Sequence, residues 1–211
     1  MSIPRRLALI AGLRALDRTA RRVSSFEPLA PGQELPHEHG PIRVHHLPGH
    51  TPGHVGFELG GEGLAITGDT IVKGRVPNAV VDSDPERPGE PFQSLAAYTA
   101  TLARLETLGF RLLLPAHGPC IEDVADQVAA LRERQSRRAT EVREALAAGP
   151  ATISEVMTRV FPHMAFLGSF LAFSEVFGHL LELERLGEVR RLSARRRERW
   201  ELGGRAARRH G

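Results

Sequence analysis

The sequence holds one cysteine, one lysine, one tryptophan and one tyrosine in 211 residues. A single thiol, Cys120, excludes an intramolecular disulfide framework and a thiolate zinc cluster. Aromatic residues make up only 5% of the chain, which argues against a nucleic-acid surface built from many stacking rings. Long apolar runs are also missing: none approaches the roughly 20 residues that span a bilayer. The stretch Leu7–Leu13 after Arg5-Arg6 is interrupted at once by Arg14. Neither a signal peptide nor a membrane anchor is read, and a cytoplasmic chain is the expectation.

What is present is ordinary globular material, with 41% hydrophobic and 25% charged residues. The net charge is only +3, yet nearly all the cationic charge is arginine, since Lys73 is the sole lysine. Position matters more than the sum. Between Glu188 and Gly211 nine arginines stand against three glutamates, so the last segment is strongly basic and the rest is slightly acidic. That end either contacts phosphates or is simply solvated.

Hydrophobic periodicity predicts an amphipathic helix over Arg5–Val23, broken by Pro31-Gly32 and Pro36. A strand over Ile42–Leu47 follows, then a hairpin of Val55–Leu59 and Leu64–Thr67 around Gly60-Gly61-Glu62-Gly63. Val76–Pro91, rich in Pro, Asp and Gly, is a long loop expected to border a substrate. Gln93–Leu108 reads as a helix, Arg111–Leu114 as a buried strand, and the stretch beyond Ile121 as a long charged helix reaching Ala148. Thr152-Ile153-Ser154-Glu155 has the pattern of a capping box. A helix over Phe170–Leu186 and two short strands, Glu188–Leu192 and Arg199–Leu202, complete what reads as a winged-helix module. The expected division is residues 1–134 and 135–211, with the boundary inside the long helix near Gln135.

Six of the ten histidines lie between His37 and His54. In His46-Leu47-Pro48-Gly49-His50-Thr51-Pro52-Gly53-His54 a spacing of four would suit a helix, but the prolines and glycines forbid one. The segment is therefore a tight loop after a strand, able to aim an imidazole at a fixed point, as a metal ligand requires. Asp69 in Thr67-Gly68-Asp69-Thr70 and His117 in Pro115-Ala116-His117-Gly118-Pro119 also follow hydrophobic strands and stand beside glycines. These three motifs, in this order, resemble the metallo-β-lactamase superfamily, where HTPGH-like, GDT-like and PGHG-like turns supply metal ligands.

The resemblance implies an α/β (α+β) fold, a partial αββα sandwich followed by a winged helix. It implies that His50, Asp69 and His117 are ligands, with Asp69 bridging two metals and taking the catalytic role. His54 and Thr70 would stand beside the ligands rather than among them. Two zinc ions are implied, with Fe or Mn also compatible with the donors. In such a site a metal-bound hydroxide attacks an ester, a thioester or a nucleic-acid phosphodiester.

The family's HxHxDH element is absent: His37-Glu38-His39-Gly40 mimics its opening, but no Asp-His follows. The chain thus reads as the C-terminal part of a family member, through a late start assignment, a truncated gene or a separately supplied half. A half-sandwich should expose apolar surface, so a homo-oligomer or a separate N-terminal half is the expected partner. The alternative is a nucleic-acid-binding or protein-interaction module that acts through the winged helix, with a vestigial metal site. The remaining candidates read more plainly. His37, His39, His45 and His46 are expected to face solvent or end strands, His163 and His179 to be partly buried in helices, and Cys120 to be a small buried hydrophobe. Lys73 and Arg75 either meet an anionic substrate or are solvated.

Overall fold

The computed structural model describes residues 24–74, 81–163, 169–192 and 198–204. The helix expected over Arg5–Val23, Arg75 and most of the basic end lie outside them. Seven strands and four helices are described: β1 (Glu34–Leu35), β2 (Ile42–His46), β3 (Val55–Leu59), β4 (Leu64–Gly68), α1 (Ser94–Thr107), β5 (Leu112–Pro115), α2 (Val124–Ala147), α3 (Ile153–Val160), α4 (Ser169–Arg185), β6 (Val189–Leu192) and β7 (Arg199–Leu202).

The first five strands form one sheet in sequential order. Neighbours from β1 to β4 run antiparallel, and β5 joins β4 in parallel. The hairpin turn between β3 and β4 places Gly60, Gly61 and Gly63 at φ of 62°, 71° and 74°, a left-handed region that costs other residues free energy. A parallel neighbour needs a crossover rather than a hairpin, and α1 lies in that crossover. Because β2 and β4 both run opposite to β3, and β5 runs with β4, the C-terminal ends of β2, β4 and β5 share one end of the sheet.

Strand pairing sorts side chains onto two faces. Ala65 and Leu113, directly paired, face the helices and join a core with Tyr98, Leu102 and Leu105 of α1 and Val124, Val128 and Leu131 of α2. The other face carries two apolar rows across four strands: Ile42, Leu59, Leu64 and Leu112, and Val44, Phe57, Ile66 and Leu114. Val44 is buried, whereas Ile66 is 42% exposed. One helical layer on one sheet is thus described here.

A second core gathers Val142 and Leu146 from the far end of α2, Val156 of α3, Val176, Leu180 and Leu183 of α4, and Val189 and Trp200 of the β6–β7 pair. One unbroken 24-residue helix, α2, therefore feeds both cores and runs straight through Gln135. The capping box forms as its sequence pattern predicts: the Thr152 hydroxyl accepts from the Glu155 amide at 3.3 Å, and the Glu155 carboxylate accepts from the Thr152 amide at 2.7 Å. Of the long loop before α1, residues 81–91 are described. The Asp84 carboxylate accepts from the amides of Glu86 and Arg87 at 2.9 and 3.1 Å and from the Arg87 guanidinium at 2.7 Å. Those bonds, the Arg87 side chain first, hold the Asp84 carboxyl below its ordinary range. Val81 and Phe92 share a small cavity with Phe177 of α4.

Three expectations are corrected. His45 is 4% exposed rather than solvent-facing, because strand alternation turns it to the helical face. There its Nε2 lies 2.9 Å from the Glu58 carboxylate and its ring meets Phe110 edge-on. Cys120 is exposed, not buried: the neighbouring Ile121 pairs with Leu113 and takes the inward position. His163 is exposed on a turn, since α3 ends at Val160.

Candidate metal centre

The loop from Leu47 to His54 is held from within and from below. Its neck closes where the Leu47 amide donates to the His54 carbonyl at 2.8 Å. The His46 ring bonds the Pro52 carbonyl at 2.8 Å and the His54 ring bonds the Thr67 carbonyl at 3.1 Å, both through Nε2. A carbonyl only accepts, so both Nε2 atoms carry their hydrogen and neither is free to ligate. From below, the Thr101 hydroxyl donates to the Pro48 carbonyl at 2.7 Å, and Arg104 donates to the His46 carbonyl at 3.2 Å. Gly49 has φ of 143°, and a Cβ there would stand 2.6 Å from the Tyr98 Cβ. The loop therefore rests directly on α1 through a residue that has no side chain. Burial of Tyr98 also pushes its phenol well above its ordinary range.

The turns after β4 and β5 are joined to each other, the Ala116 amide donating to the Gly68 carbonyl at 2.9 Å. Gly68 has φ of 55°, and a Cβ on it would lie 2.9 Å from His54 Nε2. Glycine here lets the His54 ring reach Thr67. Thr70 is fully buried, and its amide closes the turn on the Thr67 carbonyl at 3.1 Å.

These three strand-end loops bring His50, Asp69 and His117 together. One carboxylate oxygen of Asp69 lies 4.0 Å from His50 Nε2, and the other lies 3.7 Å from His117 Nε2. The His50 and His54 rings meet edge-on at 5.9 Å. His117 is 72% exposed against 25% for His50, so the site opens to solvent on the His117 side. Each nitrogen–oxygen separation is too long for a strong hydrogen bond. In donor chemistry the three residues suit a divalent cation, while their separations are wider than the roughly 3.3 Å between two ligands of one tetrahedral ion. Among the described residues, however, no three or more His, Cys, Asp or Glu side chains form a group able to hold a metal ion. The fit is thus to part of a dimetal site: two donors from this chain for each ion, where catalytic zinc takes three.

Lys73 lies on an exposed turn four residues after Asp69, while the His37 and His39 rings meet tilted at 5.4 Å on the β1–β2 loop, at the opposite end of the sheet. Tyr98 and Thr101, which position the loop, escaped the sequence reading. Their spacing of three put them on one helix face, but nothing in sequence connected that face to His50.

A carboxylate set between two imidazoles at the ends of three co-directional strands defines an α/β layered domain with a metal-type donor set. The model of the metallo-beta-lactamase superfamily matches residues 6–117, over half of the chain, and the chain belongs to that superfamily. Among curated proteins it is 28% identical over 138 residues to a probable metallo-hydrolase of Bacillus subtilis, a match covering 65% of this chain and 43% of the relative. It is 30% identical over 121 residues to an atrochrysone carboxyl ACP thioesterase of Aspergillus terreus, covering 57% of this chain and 34% of that protein. Among solved structures, a metallo-beta-lactamase family protein from Thermus thermophilus aligns with a TM-score of 0.72 at 25% identity. That alignment covers 95% of this chain and 66% of the Thermus chain. A beta-lactamase domain protein from Burkholderia ambifaria aligns with a TM-score of 0.73 at 27% identity, covering 86% of this chain and 53% of the other. The chain thus spans less than half the length of these two curated relatives. Among the described residues, no helix is long and apolar enough to cross a membrane.

Proposed function

We propose that this chain carries the His50–Asp69–His117 part of a dimetal hydrolytic centre acting on an ester or thioester. The observation that carries the reading is the placement of Asp69, one carboxylate oxygen toward each imidazole at 4.0 and 3.7 Å. Divalent metals bound here would supply a lowered pKa for water and polarisation of the scissile carbonyl. Zinc suits the imidazole and carboxylate donors, as do iron and manganese.

The chain's own residues have distinct parts in this reading. His50 is aimed by a loop that Tyr98 and Thr101 support, and Asp69 and His117 are kept adjacent by the Ala116–Gly68 hydrogen bond. His54 and Thr70 shape the turns and do not ligate. The remaining donors would come from outside the described residues, through a further segment of the same protein, a second copy or a separate chain. The thioester is favoured over a phosphodiester because a relative named as a thioesterase aligns with 57% of this chain.

The second half of α2 with α3, α4 and the β6–β7 pair is, in this proposal, a winged helix that packs on the metal-bearing layer. The three arginines of the β6–β7 pair are engaged by carboxylates: Arg190 with Glu201, Arg191 with Glu184 and Glu198 at 3.0 and 3.3 Å, and Arg199 with Glu155 at 3.3 Å. That pairing weighs against phosphate binding by this face. The test is hydrolysis of a small acyl thioester by the zinc-loaded chain. Turnover abolished by a chelator and by Asp69→Ala supports the reading, and turnover indifferent to both contradicts it.

A further inference from the structure

The chain leaves Asp69 through Val72 and Lys73 to Gly74, and α2 holds this segment at two points. The Gln127 side chain donates to the Val72 carbonyl at 3.2 Å, and two turns along the same helix Arg134 donates to the Gly74 carbonyl at 2.9 Å. Val72 lies beside the turn that carries His117, its Cγ1 standing 3.9 Å from where a Cβ on Gly118 would sit. The segment therefore starts on the open, His117 side of the metal centre and ends on α2. Five residues at ~3.6 Å each keep Gly74 within about 18 Å of Asp69.

At that point α2 and α4 flank an open groove of about 400 Å³, lined by Arg134, Arg137, Arg138 and Glu141 of α2 and Glu175 of α4. One arginine occupies both carboxylates: Arg138 donates to Glu175 at 2.7 Å and to Glu141, and its guanidinium lies 4.2 Å from the centre of the Phe161 ring. Arg134 gives one donor to Gly74, and Arg137 has no hydrogen bond or ion pair with any described residue. Exposed Lys73, next to Gly74, adds a third cation without a carboxylate among the described residues. Like charges three and four residues apart on a helix repel, and a bound anion relieves that repulsion. The arginines of the β6–β7 pair, by contrast, each have their own glutamate.

We propose that this groove binds the phosphate of a thiol carrier, with Arg134 and Arg137 donating to its oxygens, Lys73 beside them, and the thiol arm running back along Val72–Gly74 to Asp69. Guanidinium forks match phosphate oxygens in geometry, and two of them converge on more acceptor sites than a carboxylate offers. The distance from Gly74 to Asp69 is of the order that a long flexible thiol arm covers. The identity of the arm rests on the thioester reading of the metal centre, because the thiol is that reaction's leaving group. The phosphate contact rests on the arginines alone.

The experiment is calorimetric titration of the full chain, dialysed free of metal, with phosphopantetheine, with pantetheine as the phosphate-free arm and with inorganic phosphate alone. Saturable binding of phosphopantetheine, at least tenfold tighter than either fragment, is expected. Arg137→Gln, at an exposed position, should weaken it at least tenfold while the circular dichroism spectrum is unchanged. Arg111→Gln removes the same charge at the far end of the sheet and should leave the affinity as it is. No saturable binding, pantetheine bound as tightly, or an affinity unaltered in Arg137→Gln would overturn the proposal. Inorganic phosphate bound as tightly as phosphopantetheine would overturn the carrier and leave a site for free phosphate. No turnover is read here, so a chain that fails to hydrolyse a small thioester lacking phosphate contradicts the metal-centre reading and not the phosphate site.

Discussion

The Thr101 hydroxyl donates to the Pro48 carbonyl at 2.7 Å, tying the middle of α1 to the loop that presents His50. Thr101 is only 3% exposed, so water does not readily replace it. Thr101→Val keeps the shape and leaves the Pro48 carbonyl without that donor, a loss of about 1–2 kcal/mol of stability. Urea unfolding should register it as a lowered midpoint with an unchanged slope. Zinc affinity should fall as well, because the loop loses its tether.

Gly49 offers a harsher test of the same contact. Alanine there would meet both a φ of 143° and the Tyr98 Cβ at 2.6 Å. Gly49→Ala should therefore destabilise the chain by more than about 2 kcal/mol, through backbone strain and overpacking together. Gly53→Ala, whose Cβ would meet nothing within 4 Å, is the matched control and should change the melting temperature little. Equal effects of the two substitutions would remove Tyr98 as the seat of the loop.

His179 makes stability depend on pH. Burial, then Arg138 and Arg143, lowers its pKa from 6.5 to about 4. Between those values the unfolded chain binds a proton that the folded chain refuses, so stability falls as pH drops through this window and is complete above it. The contribution is at most about 3 kcal/mol. Unfolding free energies measured at pH 7.5 and pH 4.5 should differ less in His179→Leu than in the parent chain. A parallel pH dependence in the two proteins would show that His179 is not the responsible group.

Much of this arrangement was legible in the residues. Prolines and glycines forbade a helix through His46–His54, and the motifs at His50, Asp69 and His117 each followed an apolar strand. What joined them in space was strand direction, which only the pairing of β2, β3, β4 and β5 supplies. His45 illustrates the same limit: its neighbour His46 has the same composition-level signal, yet alternation sends His45 to Glu58 and His46 to Pro52. Cys120 was misjudged because Ile121, one residue on, competes for the single inward position beside Leu113. The capping box at Thr152 was readable because both its partners lie within four residues. That the Gln135 side-chain nitrogen and the His179 Nδ1 are buried with no partner among the described residues was not, since pairing of an atom is a property of packing.

The central claim is that Asp69 is shared between the His50 and His117 positions. Its most direct test is zinc content by elemental analysis after exhaustive dialysis, for the parent chain and for Asp69→Ala, His50→Ala and His117→Ala. With the donor set completed by a second copy, near two equivalents are expected in the parent, near none in Asp69→Ala, and about one in each histidine variant. Zinc absent from the parent chain, or retained in full by Asp69→Ala, would contradict the account.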